Sequence, residues 1–494
     1  MSGPILGHEF SQLLGSLFPL QLPRQLGIAV SGGVDSMALA FLLNRLAQSH
    51  NISLTAFTVD HKLRDESSSE AYLVHNELTR LGITHQILPL SWDNIIRNES
   101  SIESLARKLR YEALTQAALK TGVYNILTAH TLDDQMENFV MRMTRGTTPN
   151  GMTLIRPING IPFASFSFGG DQLKLIRPLL NIRKERLRLT CKQNSVKWFE
   201  DRTNADPTYT FRNAVRHVLT HKSTELPSAL RPHHLAPLCI KLAETQSQVD
   251  NAAKEIFDNE VLLRRIEREK NSLSAQWIVK RDTIELIKRE PPRVVAGVLT
   301  RIMELVSDEE YPDIGIRELA ELQREFVKAY QSQNDAKGFS KAGIDFKFVK
   351  TTNDKGTRQH WILKPRIVLL EQPTRIIKTP QVVDEWSDWV LWANRVFIRI
   401  KITKFNNSIP KYLIIKPLSD LDEATILKYF GSKRVKSQIG GLGKFTWIVP
   451  AIYDPNIARI VSVPSLSVRI PPRNSDTYKV EAELRFRKNT LPPL

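Results

Sequence analysis

Apolar and polar positions change rhythm repeatedly over the first 145 residues. A short apolar run, Leu26 to Val30, stands just before a helix-like stretch beginning at Met37-Ala38-Leu39-Ala40-Phe41-Leu42-Leu43. A second strand pattern, Ile52 to Val59, stops at Asp60-His61, and a helical stretch from about Asp65 to Leu81 leads through Gly82 to the strand-like Thr84 to Leu90. Ser100 and Glu103 have the spacing of a capping box for a helix reaching about Lys120, followed by a strand over Tyr124 to Ala129 and a helix over Asp133 to Met143. Strand and helix patterns alternating in this way predict βαβ units and a doubly wound parallel sheet. Charged residues collect just after each strand, at the edge where open α/β sheets bind ligands.

Farther along the rhythm changes. A charged amphipathic helix is expected from about Ala236 to Lys270, then a mixed segment, Ser272 to about Lys364, with helices at Arg293 to Leu305 and Ile316 to Tyr330. The proline-bearing stretch Lys364 to Pro380 reads as a linker to a β-rich part with strands in Trp389 to Ile402, Lys411 to Pro417 and Phe445 to Val463. The expected architecture is α/β overall. It divides into an N-terminal domain over 1–220, a helical and mixed connector over 221–364, and a β-rich domain over 381–494.

A chain of 494 residues exceeds what one core usually organises. Lys and Arg exceed Asp and Glu by 69 − 52 = 17, which favours a polyanionic partner, nucleic acid first. The two cysteines, Cys191 and Cys239, form no CxxC pair, which argues against a disulfide framework and a cysteine-only metal site. No run approaches the ~20 apolar residues that cross a bilayer, and the first 26 residues have neither a secretory h-region nor the arginines of a transit peptide.

The chemistry begins between the first strand and its helix, at Ser31-Gly32-Gly33-Val34-Asp35-Ser36. Glycines let backbone approach an anion, amides opening the helix point at it, and the helix dipole favours negative charge. A Walker loop would carry a lysine; here Asp35 stands inside the loop, where it repels phosphate unless a metal accompanies it. The composition suits Mg-pyrophosphate. The hexapeptide resembles the pyrophosphate-binding PP-loop of the ATP pyrophosphatases, which adenylate a carbonyl oxygen and release pyrophosphate.

Further strings follow in order: Val59-Asp60-His61-Lys62-Leu63-Arg64, Ala106-Arg107 with Arg110-Tyr111, Ala129-His130-Thr131-Leu132-Asp133-Asp134-Gln135-Met136-Glu137, and Arg177-Pro178-Leu179-Leu180. Asp133, Asp134 and Glu137 place three carboxylates on about one helical turn, with Asp133 and Glu137 at i,i+4; such a cluster can hold Mg²⁺ or an amine substrate's ammonium. Arg107 and Arg110, at i,i+3, can clamp phosphate. His61 and His130 both close predicted strands, where they can contact ATP or a base.

Together with Trp198 to Asn204 and Phe211 to Arg216, these strings resemble the tRNA(Ile)-lysidine synthetase family, closely over residues 24–217, loosely over Ser272 to Lys364 and weakly in the C-terminal part. That resemblance implies ATP-dependent ligation of lysine to the wobble cytidine of a tRNA(Ile) with a CAU anticodon. It implies ATP on Ser31 to Ser36 and His130, and catalytic roles for Asp35, Arg107, Arg110, Asp133, Asp134 and Glu137. Mg²⁺ would be held at Asp35 and Asp133, and tRNA by Arg145, Asn204, Arg212, Asn213 and Arg216. Lys62 stands where the bacterial family often has glycine, and Pro149-Asn150 departs from the family's glycine- and serine-rich continuation. In the β-rich part, Lys428, Lys433, Arg434 and Lys436 near Phe430 offer cations and a ring to RNA. The alternatives are a tRNA-thiolating enzyme of the same superfamily, or a catalytically silent RNA-binding protein on this fold. A bacterial cytoplasm suits the fold, but the long C-terminal part suggests a eukaryotic relative serving mitochondrial translation.

Overall fold

The computed structural model describes residues 3–62, 66–92, 102–146, 153–199, 206–266, 276–280, 289–306, 316–331, 339–341, 344–353, 356–365, 374–405, 410–418, 449–464, 468–469 and 478–486. The chain separates into two compact units, Met1–Val249 and Asp250–Leu494.

The first unit is built on a six-stranded sheet. Its strands are β1 (Gln25–Ala29), β2 (Ser53–Asp60), β3 (Thr84–Pro89), β4 (Asn125–Leu127), β5 (Ile158–Gly160) and β6 (Lys174–Ile176), in the spatial order β3-β2-β1-β4-β6-β5. All neighbours are parallel except β5, which runs antiparallel to β6 at the edge. The helices are α1 (Gly7–Gly15), α2 (Val34–His50), α3 (Ser67–Arg80), α4 (Ile102–Thr121), α5 (Leu132–Thr144), α6 (Lys184–Gln193), α7 (Phe211–His221) and α8 (Pro232–Ile256). The chain winds outward from β1 to β3 and returns through α4 to β4 on the other side of β1. The order therefore reverses between β1 and β4, and the crevice at their carboxyl ends is where such sheets take ligands.

The α2 helix lies against this sheet, with Met37, Ala38, Leu39, Ala40 and Leu43 fully buried beside Leu26, Ile28 and Ala56 of the strands. This burial fixes where the loop ahead of α2 presents itself.

The predicted elements of this unit are present with small shifts at their ends. The expected long helix is different: α8 begins at Pro232, a residue suited to a first turn, and ends at Ile256. A π-helical turn, Phe257–Val261, then leads into β7 (Leu262–Ile266), which pairs with β8 (Gln276–Lys280). Leu262 and Leu263 thus serve a strand rather than a longer helix. The capping box expected at Ser100 and Glu103 lies outside the described residues.

In the second unit one sheet has the order β7-β8-β11-β10-β9, with β9 at Phe339–Lys341, β10 at Ile344–Asn353 and β11 at Gly356–Pro365. The helices α9 (Pro292–Val306) and α10 (Ile316–Gln331) accompany it, and Phe326 meets the Trp361 ring edge-on at 4.9 Å. Beyond it β12 (Arg375–Lys378), inside the expected linker, pairs with β15 (Tyr412–Pro417) in a second sheet. The β-rich stretch expected from Trp389 to Ile402 is a hairpin of β13 (Val390–Trp392) and β14 (Val396–Phe405). Ala393 and Asn394 between them have φ of 49° and 54°, the pair of positive values that a tight hairpin turn requires. This three-stranded sheet, completed by β16 (Tyr478–Phe486), shares a core with the second sheet: Trp392, Ile398 and Ile400 pack with Ile377, Leu413 and Ala451.

Candidate active site

The loop after β1 owes its shape to Gly32. Its φ is +85°, and a Cβ there would stand 2.6 Å from Val74 Cγ2, so only glycine fits both the conformation and the space. The Phe199 amide donates to Gly32 O at 2.9 Å, closing the loop from outside. Ser36 binds the loop from inside: its hydroxyl accepts from the Ser31 amide at 3.2 Å and donates to Gly33 O at 2.9 Å. Gly33 sits at the N-cap of α2 with extended backbone and supplies no capping side chain. Amides of the first turn are thereby left to an anion.

Asp35 lies just inside that turn. One oxygen is 3.0 Å from Lys184 Nζ, while the other, Oδ1, is buried with no hydrogen-bond partner. Burial raises the carboxyl to about 6, against the pull of Lys184, and Asp133 and Asp134 nearby add to the rise. An unsatisfied buried carboxylate oxygen beside a phosphate-binding loop fits a divalent cation shared with phosphate, since Mg²⁺ commonly takes one or two protein carboxylates and completes its shell with phosphate and water.

The start of α5 gathers the remaining strings. Thr131 and Asp134 form a reciprocal capping box, with Asp134 accepting from the Thr131 amide at 2.8 Å. The Leu132 amide donates to Ile182 O at 2.9 Å, joining α5 to the Arg177-Pro178-Leu179-Leu180 segment. Asp133 accepts from Arg183 Nε at 3.1 Å and from the Lys184 amide at 2.7 Å. Asp134 also accepts from Arg212 at 2.8 Å. Glu137, almost fully buried, is clasped by Arg212 Nε at 2.8 Å and Arg216 Nε at 2.7 Å. The side-chain amide of Gln135 donates to Ile155 O and accepts from its amide.

The three acids on one turn therefore engage arginines: Asp133 takes Arg183, Asp134 and Glu137 share Arg212, and Glu137 also takes Arg216. They neutralise Arg183, Arg212 and Arg216 and hold these arginines at the site, instead of facing one ligand together. Among the described residues no group of three or more His, Cys, Asp or Glu side chains is arranged to hold a metal ion. A cation at Asp133 would have to displace Arg183.

Burial drives His130 down to about 4, against the pull of Asp134 and helped by Arg177, Arg212 and Arg110. The ring is neutral at pH 7, and its Nδ1 lies 3.0 Å from the Thr128 hydroxyl. Burial also lowers His61, again with Arg110 contributing, and its Nδ1 is buried without a partner. Arg110 thus acts on both histidines, and its own guanidinium lies 5.3 Å from the Tyr111 ring centre. The exposed Arg107 guanidinium lies 5.1 Å from the centre of the same ring. Lys62 adopts φ of 49°, its amide donating to Asp60 Oδ1 at 3.1 Å. The glycine-like geometry is thus present without glycine.

Some expected residues stand elsewhere. Arg145 caps the far end of α5 and is exposed, ~20 Å from its start at 1.5 Å per residue. Asn213 is buried and its side-chain amide donates to Asp206 O at 3.0 Å, shaping the entry to α7. Asn204 and Pro149-Asn150 lie outside the described residues, as do Lys428 to Lys436.

Residues 6–223 match the family described as the PP-loop domain. The match implies that this part binds ATP. Among the proteins similar to the chain, one from Schizosaccharomyces pombe, described as a probable tRNA(Ile)-lysidine synthase, is 34% identical over 244 residues, 48% of this chain and 52% of that protein. A tRNA(Ile)-lysidine synthase of Ruegeria pomeroyi is 35% identical over 238 residues, 48% and 53% of the two chains. Another, of Bradyrhizobium sp., is 38% identical over 209 residues, 42% and 54%. The matched region spans about half the length of these relatives.

Three positions that matter to the PP-loop domain escaped the sequence reading. Lys184 and Arg183 follow the Arg177 to Leu180 string directly, and that adjacency was the available signal. Glu77, buried on α3, takes Arg80 in a two-point pair and accepts from the Lys197 amide at 3.0 Å. It thereby holds the segment whose Phe199 amide closes the loop. An acid in the middle of an amphipathic helix gave no such signal.

Proposed function

We propose that this protein is an ATP-dependent ligase that joins lysine to the wobble cytidine of a tRNA(Ile) with a CAU anticodon, forming lysidine. The observation that carries the reading is the junction at Asp35: a phosphate loop, a buried unsatisfied carboxylate oxygen and the arginine-bearing start of α5 converge at the β1/β4 crevice. In this reading the cytidine O2 attacks the α-phosphate of ATP. Pyrophosphate departs into the loop between Ser31 and Ser36, and the lysine ε-amine then displaces AMP at C2.

Mg²⁺ held at Asp35 would neutralise the departing pyrophosphate. Amides of α2 and the guanidiniums that α5 holds in place supply preorganised positive groups to the same charge. Neutral His130 can accept or donate one hydrogen bond to adenine or the target base without adding charge. The excess of 17 cations suits a tRNA partner. On the three-stranded sheet, Arg399 lies 4.5 Å and 4.6 Å from the ring centres of Trp386 and Trp389, an aromatic surface of the kind on which bases stack.

The thiolating alternative is disfavoured by both thiols. Cys191 and Cys239 are buried, and burial pushes each up to about 12, whereas a sulfur carrier needs an accessible thiolate. Incubating the protein with labelled lysine, ATP, Mg²⁺ and a CAU-anticodon transcript tests the proposal. Label entering RNA only when ATP is present supports it; pyrophosphate release without lysine entering RNA contradicts it. We also propose a mitochondrial location, on the length and character of the C-terminal part, to be tested by fractionating cells expressing the tagged protein.

A further inference from the structure

A Walker loop carries its own lysine, and the loop from Ser31 to Ser36 has none. The cation at this loop comes from a segment about 150 residues downstream, where Lys184 Nζ approaches Asp35 Oδ2 to 3.0 Å. The two ends of Lys184 are held very differently. Its backbone amide is fixed on Asp133 Oδ2 at 2.7 Å at the first residue of α6, with Ile182 and Leu187 on either side in the core. Its side chain is 43% exposed and can swing on a flexible four-carbon stem. An ion pair this open contributes little to stability, so folding alone gives weak reason for a lysine here.

We propose that Lys184 is a phosphate-binding residue: it waits on Asp35 in the free protein and contacts the polyphosphate of ATP, and then the pyrophosphate product, when nucleotide enters the loop. Asp35 guides the cation to the loop mouth and is released to bind metal as Lys184 turns to phosphate. The inference rests on the reading of Ser31 to Ser36 as a pyrophosphate site, but not on which substrate is adenylated.

The test uses the full chain and measures calorimetric binding of inorganic pyrophosphate and of ATP, each with Mg²⁺, for wild type, Lys184→Met and Lys184→Arg. Losing a charge-assisted contact is expected to weaken both ligands about tenfold or more in Lys184→Met. Lys184→Arg, which keeps the charge, should recover most of that affinity. Melting without ligand should fall only slightly in Lys184→Met, because proton uptake by Asp35 offsets the lost cation, and should be unchanged in Lys184→Arg. Binding by Lys184→Met within twofold of wild type would overturn the inference and leave the loop assignment standing. A loss that arginine does not recover, or one accompanied by an equally lowered melting temperature, would overturn it in favour of a packing role. Wild-type protein that binds no pyrophosphate would overturn the loop assignment as well.

Discussion

Replacing Asp35 by Asn should stabilise the protein while removing the proposed ligase activity, and the gain should depend on pH in a calculable way. Burial raises the Asp35 carboxyl from its ordinary 3.8 to about 6 in the folded chain. A folded-state value above the unfolded one means that the native state binds the proton more tightly. Stability therefore falls as pH rises from below 4 to above 6. The gap of roughly 2 units corresponds to about 3 kcal/mol when titration is complete. Linkage with these two values gives about 1.6 kcal/mol at pH 5 and about 3 kcal/mol at pH 8, so Asp35→Asn should gain about 1.4 kcal/mol on wild type across that range. The difference isolates Asp35, because every histidine titrates in both proteins. Urea unfolding of wild type and Asp35→Asn at pH 5, 6, 7 and 8 measures it. Saturating Mg-ATP should narrow the gap by binding wild type better. A stability difference flat with pH, or one that shrinks as pH rises, would refute the argument that the loop holds a desolvated carboxylate.

Glu137→Ala should cost about 2–4 kcal/mol in urea unfolding, since it strands the part-exposed Arg216 and leaves Arg212 with Asp134 alone; a cost below about 1 kcal/mol would mean that the pairs are not formed. His85 is lowered from 6.5 to about 4, chiefly by burial and secondarily by His75. Its folded value lies below its unfolded one, so stability is lost as pH falls; between pH 7 and 5 this amounts to about 2 kcal/mol. A His85→Asn variant should lose correspondingly less over that range, and equal losses in the two proteins would count against the assignment. Lys62→Gly should unfold within about 1 kcal/mol of wild type, because relief of the left-handed conformation offsets glycine's greater unfolded-state entropy, whereas Lys62→Val should be clearly destabilised; similar losses for both would contradict the geometry at φ 49°.

What the sequence disclosed and what it hid follow from the range of the interactions. Loop residues Ser31 to Ser36 were legible because a strand, two glycines and a helix start determine the conformation within a few positions. The parallel sheet was legible from period alone. Partners of the acids were not: Asp133 meets Arg183, 50 residues on, Asp134 meets Arg212, 78 residues on, and Glu137 meets Arg216, 79 residues on. From spacing alone these acids read as a ligand cluster, and only the tertiary fold reveals the arginines that they hold. The Ala393-Asn394 turn was missed for a local reason, lacking the glycine that usually marks such hairpins. At Asn213 the residue type suggested RNA while burial assigns it to the turn before α7.

The central claim is that this loop adenylates a base oxygen that lysine then displaces. Its most direct test follows that oxygen. A CAU-anticodon tRNA(Ile) carrying ¹⁸O at C2 of the wobble cytidine is incubated with the protein, ATP, Mg²⁺ and lysine, and the AMP released is weighed by mass spectrometry. The account predicts AMP carrying the heavy oxygen, in equal amount to the lysidine formed. AMP without the label, with the heavy oxygen still in the base, would contradict it.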